Sequence, residues 1–451
     1  MIRIAQFGQG NFLRAFADYY FDTLNEKGEY SVSIIKPGEG GNLDKFIKQN
    51  NIYHVVLRGI ENGKKVEKVR KITVVVECVP YFDCVSFARI ATYPDLRIVI
   101  SNTTEAGIYF SEQDNMENLK NSSYPAKLTS FLYKRFSAGL CGVYILPTEL
   151  IDNNADTLKN CVDKYIKLWK LPVEFSEWNE RENYYCNTLV DRIVSGFPGG
   201  EEEYFYNLIG EKDELLTVGE PFGLWVIENK GNISDLIKEG KHGTEVVISN
   251  DIDYYKKRKV RVLNGSHTNM VFTALWEGAK TVYGAVSSPK IRDFVTQTLN
   301  EIVPFVSGDA QEAKRYAKEV MERFENPFIN HQLVSISLNS VSKWKARVLP
   351  TFSDYYQMHK QAPEKLTTGL SYLVHTYRSL YKNGDAYCYN VKGNTYELKD
   401  EKACLDFFID GGTLSDFLSE KMWGVNLNKL DGLTKKVAEN LKRLERGESL
   451  L

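Results

Sequence analysis

The opening residues constrain the fold more than any other stretch. They read as an apolar strand, a turn built on two glycines and an amphipathic helix, in that order. Ile2 to Phe7 is a short core strand and Gly8-Gln9-Gly10 a tight turn; Phe12, Phe16, Tyr19, Tyr20 and Leu24 then recur at helical spacing until Lys27-Gly28 stops the helix. Two glycines let the backbone turn sharply and approach a pyrophosphate, which then rests on free N–H groups at the helix N-terminus. The third glycine of the usual pattern is replaced by Leu13, giving G-x-G-x-x-L. An ordinary glycine-rich strand–helix turn has similar residues. The position, at the first strand and first helix, favours a dinucleotide cofactor, with Phe7, Gly8, Gln9, Gly10, Asn11 and Phe12 as its candidate contacts.

The next segments alternate. Ser31 to Ile35 is a second strand closed by Pro37-Gly38, and Tyr53 to Ile60 and Lys65 to Val79 are strands joined at Asn62-Gly63, a strong hairpin signal. Ile98 to Ser101 and Gly142 to Leu146 are further buried strands, so a mostly parallel sheet covered on both faces is expected. An acidic residue at the end of the second strand would read a ribose 2′-hydroxyl. Lys36-Pro37 stands there instead, with Glu39 beyond. Lys36 suits a 2′-phosphate or lies over the adenosine, which leaves NAD and NADP open. Asn102 and Thr103, at a strand end on the same face, either line the nicotinamide ribose or cap a helix. Tyr124-Pro-Ala-Lys127 imitates the Tyr-x3-Lys pair of short-chain reductases, but its spacing and proline mark a helix start.

Glu245 to Ser249 is a last strand, after which helical patterns dominate from about 266 to 446: Ile291 to Val303, Ala310 to Phe324, Leu366 to Lys382, Leu430 to Leu444. The expected architecture is a Rossmann-like α/β domain over 1–249 and a mainly α-helical substrate domain over 250–451. A length of 451 residues suits two or three such units. A net charge of −2 argues against a nucleic-acid partner, and no stretch approaches a membrane span. The N-terminus shows no basic-then-apolar leader, and seven cysteines without C-x2-C spacing favour free thiols in a reducing cytoplasm. Six scattered histidines without paired-ligand spacing argue against a structural metal. A monomer and a small homo-oligomer are both compatible.

Where the two halves meet, a cleft is expected, and Lys259-Val-Arg-Val-Leu-Asn264-Gly-Ser-His267 sets an amine, a carboxamide and an imidazole in K-x4-N-x2-H spacing. On an α-helix these project at about 0°, 140° and 80°, so they share one half of its surface. The plain alternative is the polar stripe of an amphipathic helix. Carbonyl reduction needs a proton donor and acceptor, a neutral donor for the developing alkoxide, and a group that orients both. A free lysine titrates near ~10.4. Loss of solvent and the neighbouring Lys256, Lys257, Arg258 and Arg261 would both act to lower that value. Lys259 is therefore read as general base in alcohol oxidation and general acid in ketone reduction, Asn264 as the oxyanion donor, and His267 as an orienting group.

The chain resembles the polyol-specific long-chain dehydrogenases, the mannitol dehydrogenase family. K-x4-N-x2-H is that family's signature, and G-x-G-N-F-L-R-A from Gly8 to Ala15 is close to its cofactor turn. The resemblance extends through SNTTEAG (101–107), YPAKLT (124–129), NTLVDRIVSGFP (187–198) and RFENPFINHQLVSISLNSVSKWKARVLP (323–350). It implies NAD-dependent, metal-independent interconversion of D-tagaturonate and D-altronate in hexuronate breakdown. Alternatives are reduction of fructuronate, oxidation of mannitol or mannitol 1-phosphate, and a nucleotide-binding regulator without turnover. The resemblance also places Asp191 near the substrate and assigns Lys343, Lys345 and Arg347 to a substrate-side helix. There Lys343 and Arg347 are candidates to hold the carboxylate of a sugar-acid substrate. One departure is visible: the family's Cys-Asp-Asn stretch, which supplies a second oxyanion amide, is Thr148-Glu149-Leu150 here, followed by Asp152-Asn153-Asn154. Either Asn153 or Asn154 substitutes, or that donor is absent.

Overall fold

The computed structural model describes residues 1–38, 43–104, 106–306 and 308–451; Glu39, at the end of the second-strand loop, and Glu105 lie outside them. The chain forms two compact units, Met1–Ile252 and Asp253–Leu451.

In the first unit the order of elements begins β1 (Ile2–Phe7), β2 (Tyr30–Lys36), the hairpin β3 (Tyr53–Glu61) and β4 (Lys64–Ile72), β5 (Val75–Pro80), β6 (Leu96–Ser101), β7 (Tyr144–Pro147) and β8 (Tyr184–Tyr185). Six of these form one sheet in the order β5-β2-β1-β6-β7-β8, with every neighbouring pair parallel. With the hairpin set aside this is the doubly wound order, whose direction reverses between β1 and β6 and leaves a crevice at their carboxyl ends. Strands covered on both faces must be apolar throughout, and β2 is buried along its whole length. Alternate residues feed two cores. Ile4, Val32, Ile34 and Ile98 pack with Phe16, Tyr20 and Trp225 on one face; Ala5, Phe7, Ile35 and Val99 pack with Phe87, Leu128 and Phe131 on the other.

The Asn62-Gly63 turn is made as expected, with φ of 52° and 73°. The single strand expected from Lys65 to Val79 is instead two strands in different sheets. At the break the Asp22 carboxylate accepts from Thr73 N at 2.7 Å, Val74 N at 3.0 Å and Arg70 Nε at 2.7 Å, satisfying the backbone that leaves the ladder. The hairpin joins β10 (Val194–Gly196) and β11 (Thr217–Gly219) in the order β10-β11-β3-β4. A third sheet combines β9 (Thr188–Asp191), β12 (Leu224–Glu228), β13 (Gly240–His242) and β14 (Thr244–Ser249) in the order β13-β14-β12-β9.

The second unit is mainly helical. Its centre is the helix Gly265–Glu277, buried over most of its circumference and packed by Glu364–Arg378, Pro289–Ile302 and Ser340–Arg347. One helical expectation overran. The helix over Leu366 to Lys382 stops at Arg378, and β15 (Tyr381–Asn383), β16 (Ala386–Val391) and β17 (Asn394–Leu398) form an antiparallel sheet. Asn383-Gly384 and Lys392-Gly393 make its turns, the latter with φ of 47° and 80°. Among the described residues no helix is long and apolar enough to cross a membrane.

Candidate active site

In the first unit the glycine turn sits at the switch point. Gly8 has φ 130°, where other residues are strained, and a Cβ there would lie 3.0 Å from Asn102 O and 3.1 Å from Leu13 Cδ1. Its N–H donates to Ile35 O, and Asn102 N donates to Phe7 O, so the turn is laced to both flanking strands. Gly10 has nothing within 4 Å of a built Cβ, so its backbone is open to a ligand. Phe7 itself is a core residue, 5.2 Å from Tyr124 and 5.5 Å from Phe131 between ring centroids, leaving only its main chain at the turn. Asn11 is turned towards the protein: its side-chain oxygen accepts from Arg14 Nη2 at 2.5 Å and Thr217 Oγ1 at 3.3 Å. Phe12 stacks on Phe16, and the Gln9 side-chain oxygen is buried without a hydrogen-bond partner among the described residues.

A cavity of ≈530 Å³ opens beside this turn, lined by Phe12, Asn102, Thr104, Thr148, Leu150 and Val190 among others. Among the described residues Asn102 and Thr103 cap no helix, since the first one after β6 is Tyr124–Ser137, capped by Ser123. Instead Asn102 Nδ2 donates to Thr148 Oγ1 at 3.0 Å, and Thr103 donates to Glu149 from both its N–H and its hydroxyl, each at 2.9 Å. Burial raises the Glu149 carboxyl, while these donors oppose that shift. Asn154 does not supply the second oxyanion amide: its Nδ2 is spent on the carbonyls of Pro147, Glu149 and Thr188. Leu150, 59% exposed, brings an apolar side chain to the cavity. Lys36 is buried at the end of β2. Asp191 is buried at the end of β9, while its neighbour Arg192 clamps the carbonyls of Ala15, Phe222 and Gly243.

In the second unit the three signature residues lie on a helix with an irregularity. Lys259–Asn264 is a π-helical turn, closed by Gly265 N donating to Val260 O, and α-helix resumes at Gly265. A π turn advances roughly 80° per residue rather than 100°. Asn264 then projects about 40–50° from Lys259 and His267 returns almost above Lys259, closer than the 140° and 80° of a regular helix. Single π turns of this kind recur at functional sites. Asn264 is half-buried, and its carboxamide has no hydrogen-bond partner among the described residues. Two of the basic neighbours are engaged by other helices: Arg258 is buried and paired with Glu312, and Arg261 donates to Asp354 Oδ2 at 2.6 Å and Phe305 O at 2.8 Å, so their charge is offset.

His267 is held by rings. Phe324 stacks on it at 4.3 Å and 12°, and His331 meets it edge-on at 5.2 Å and 87°. Burial first, then the positive charges of His331, Arg323, Arg347 and Lys343, keep its pKa well below the ordinary histidine value, and its Nε2 is buried without a partner among the described residues. Burial thus favours its neutral form. Burial and Lys343 lower His331 as well. Lys343 and Arg347 share a face of Ser340–Arg347. Lys343 Nζ donates to Ile336 O at 3.0 Å, Arg347 Nη1 reaches Thr268 Oγ1 at 3.4 Å, and burial lowers both pKa values. Lys345 lies on the opposite side, its Nζ near Gly424. Gly265 makes this assembly possible: a Cβ there would sit 3.0 Å from Arg347 O, so only glycine lets the two helices approach. Sequence reasoning missed His331, Phe324 and Gly265. The small residue next to Asn264 in the signature was the available signal for Gly265; the rings are placed by tertiary packing alone. No three His, Cys, Asp or Glu side chains among the described residues converge as a metal site.

The family model described as the mannitol dehydrogenase Rossmann domain matches residues 2–238, and that of the mannitol dehydrogenase C-terminal domain matches residues 251–445. Altronate oxidoreductase of Bacillus subtilis (strain 168) is 36% identical over 98% of this chain and 92% of its own length. Altronate oxidoreductase of Escherichia coli O1:K1 / APEC is 37% identical over 99% of this chain and 95% of its own. Among solved structures, a substrate-free D-sorbitol dehydrogenase superposes with a TM-score of 0.78 at 20% identity, covering 99% of this chain and 94% of that one. Pseudomonas fluorescens mannitol 2-dehydrogenase, solved as a ternary complex with NAD and D-mannitol, gives 0.67 at 19% identity with the same coverage. A doubly wound first unit, a K-x4-N-x2-H turn in a helical second unit and full-length similarity together establish that the chain belongs to the mannitol dehydrogenase family.

Proposed function

We propose that the protein is an NAD-dependent oxidoreductase that interconverts D-tagaturonate and D-altronate, with Lys259 as the acid and base. The observation that carries this reading is the pair of cations beside the signature: Lys343 and Arg347 both act on His267, in a chain similar along its length to altronate oxidoreductases. Like charges gathered in a half-buried site are costly alone and favourable around a carboxylate, which guanidinium and ammonium groups hold by charge-assisted hydrogen bonds. An uncharged polyol gives such a cluster nothing to neutralise.

The glycine turn supports the cofactor. Gly8 can take its conformation without strain, Gly10 leaves room for a pyrophosphate, and the helix that follows presents free N–H groups. Bound NADH supplies the hydride for ketone reduction, and NAD accepts it in the reverse direction. Lys259 gives its ammonium proton to the ketone oxygen as that oxygen gains charge, and retrieves it from the alcohol in oxidation. Asn264 donates an N–H to the same oxygen, a contribution of about 3 kcal/mol in comparable oxyanion sites. His267, kept neutral, donates to or accepts from a substrate hydroxyl without adding charge. Lys343 and Arg347 hold the acid end, and Asp191 is a further substrate contact.

The test is oxidation of NADH and of NADPH with tagaturonate, fructuronate and fructose side by side. Tagaturonate with NADH is expected to give the highest kcat/KM. A preference for fructose would remove the carboxylate reading, and inert substrates with retained NADH binding would establish a regulator without turnover.

A further inference from the structure

Lys127 has no part in the chemistry above, yet it is buried and fully engaged. The residue is 4% exposed, and its ammonium donates to Pro37 O at 2.9 Å and Ser122 O at 2.6 Å and lies 4.2 Å over the Tyr81 ring. The three partners come from three segments: Pro37 follows β2, Tyr81 follows β5, and Ser122 precedes the helix that carries Lys127. Tyr81 is tied in turn, its N–H donating to Lys36 O at 3.1 Å and its hydroxyl to Lys120 O at 2.5 Å. Burying an ammonium is unfavourable unless its donors are used, so an apolar side chain would serve packing better. The ties lie at the carboxyl edge of β2 and β5, on the side of the switch point where a doubly wound sheet receives the adenosine half of a dinucleotide.

We propose that Lys127 is a positioning residue for the adenosine half of the cofactor, pinning Pro37, just after β2, against Tyr81, just after β5. The inference rests on the cofactor reading above. Burial lowers Lys127 to about 8. The ionisable groups facing it are Asp114, whose carboxylate favours the charged form, and Tyr81. Losing the proton above that pH weakens both carbonyl bonds and the ring contact.

The experiment is a fluorescence titration of NADH into the full chain, with steady-state kinetics, for the wild type, Lys127→Met and Lys127→Arg. Lys127→Met is expected to raise the Kd and KM for NADH about tenfold, with kcat at saturation and the KM for the acid substrate unchanged. Lys127→Arg restores NADH affinity to within about twofold. The wild-type KM for NADH climbs above pH ~8 and that of Lys127→Arg does not. Folding cannot explain the climb: a lysine with a lowered folded pKa makes the protein more stable as pH rises from about 8 towards 10.5. Should Lys127→Met not fold, Tyr81→Leu, which removes the ring and the Lys120 tie, carries the same expectation. Equal NADH affinity in wild type and Lys127→Met overturns the inference, as does a loss shared by kcat or not rescued by arginine. A wild type that binds neither NADH nor NADPH overturns the cofactor reading itself.

Discussion

Gly265→Ala is the most discriminating single substitution, because its effects on stability and on the site run apart. Gly265 has φ −66° and ψ −48°, ordinary helical values, so alanine meets no backbone strain. In a helix interior it even gains about 1 kcal/mol of propensity. Against that, its Cβ would lie 3.0 Å from Arg347 O and 3.5 Å from Val260 O. Arg347 O is main chain and cannot rotate away, so Ser340–Arg347 must retreat by about 0.4–0.5 Å to reach ordinary contact. Overpacking of this kind costs about 1–3 kcal/mol. The net loss is then about 0–2 kcal/mol, a fall in Tm of a few degrees for a unit of this size.

The site feels the retreat more. Lys343 and Arg347 ride on the displaced helix while Asn264 and His267 stay with the π turn. A misplacement of about 1 Å costs roughly a hundredfold in rate, so about half that displacement should lower kcat/KM for tagaturonate about tenfold. The assay pairs thermal unfolding with kinetics on the acid substrate and on NADH. The expected result is a folded variant with an unchanged KM for NADH and a tenfold loss on the acid. Gly278→Ala is the control: at φ 97° it is strained, so it should lower Tm without altering the balance between substrates. Wild-type kcat/KM in a folded Gly265→Ala protein would show that the approach of the two helices does not set the site.

Three further outcomes are expected. Lys259→Ala depresses kcat by orders of magnitude with NADH affinity nearly intact; near-normal turnover removes Lys259 from the proton transfer. Lys343→Met raises the KM for an acid substrate at least fivefold more than for an uncharged polyol, and equal effects show that Lys343 does not read the carboxylate. Asp18, buried beneath the glycine turn, accepts from Tyr53 Oη at 2.6 Å and Gln6 Nε2 at 3.4 Å, but burial outweighs them and raises its pKa to about 7. The folded protein therefore keeps a proton that the unfolded chain releases from about pH 4, and stability falls as pH rises towards 7. Urea denaturation at pH 5 and 7.5 should show that fall in the wild type and a flatter profile in Asp18→Asn.

Most of the architecture was legible because it rests on periodicity and turn chemistry. The parallel strands are apolar along their length, and Asn62-Gly63 and Lys27-Gly28 place glycine where φ is positive. What escaped depends on long-range capture. Lys65 to Val79 is one β-forming run by composition, and only Asp22, distant in sequence, divides it between two sheets. Arg258 and Arg261 read as a like-charge cluster until Glu312 and Asp354 arrive from other helices. Asn154, a plausible oxyanion donor by spacing, is consumed by the carbonyls of Pro147 and Glu149 just before it and of the distant Thr188.

The signature itself shows the limit most sharply. Counting residues at a fixed 100° gives Lys259, Asn264 and His267 a shared half of a helix, a loose condition that many solvated faces meet. The one-residue excess of the π turn tightens it to a narrow face. No propensity scale reports that excess, because the i→i+5 geometry is sustained by what packs around it. Here that includes Gly265 against Arg347 O, which joins the signature to the cationic helix. The same glycine thus permits the contact that brings Lys343 and Arg347 beside the signature turn. The K-x4-N-x2-H spacing and the cations are accordingly one device, and a variant that preserves every polar side chain can still lose the acid substrate.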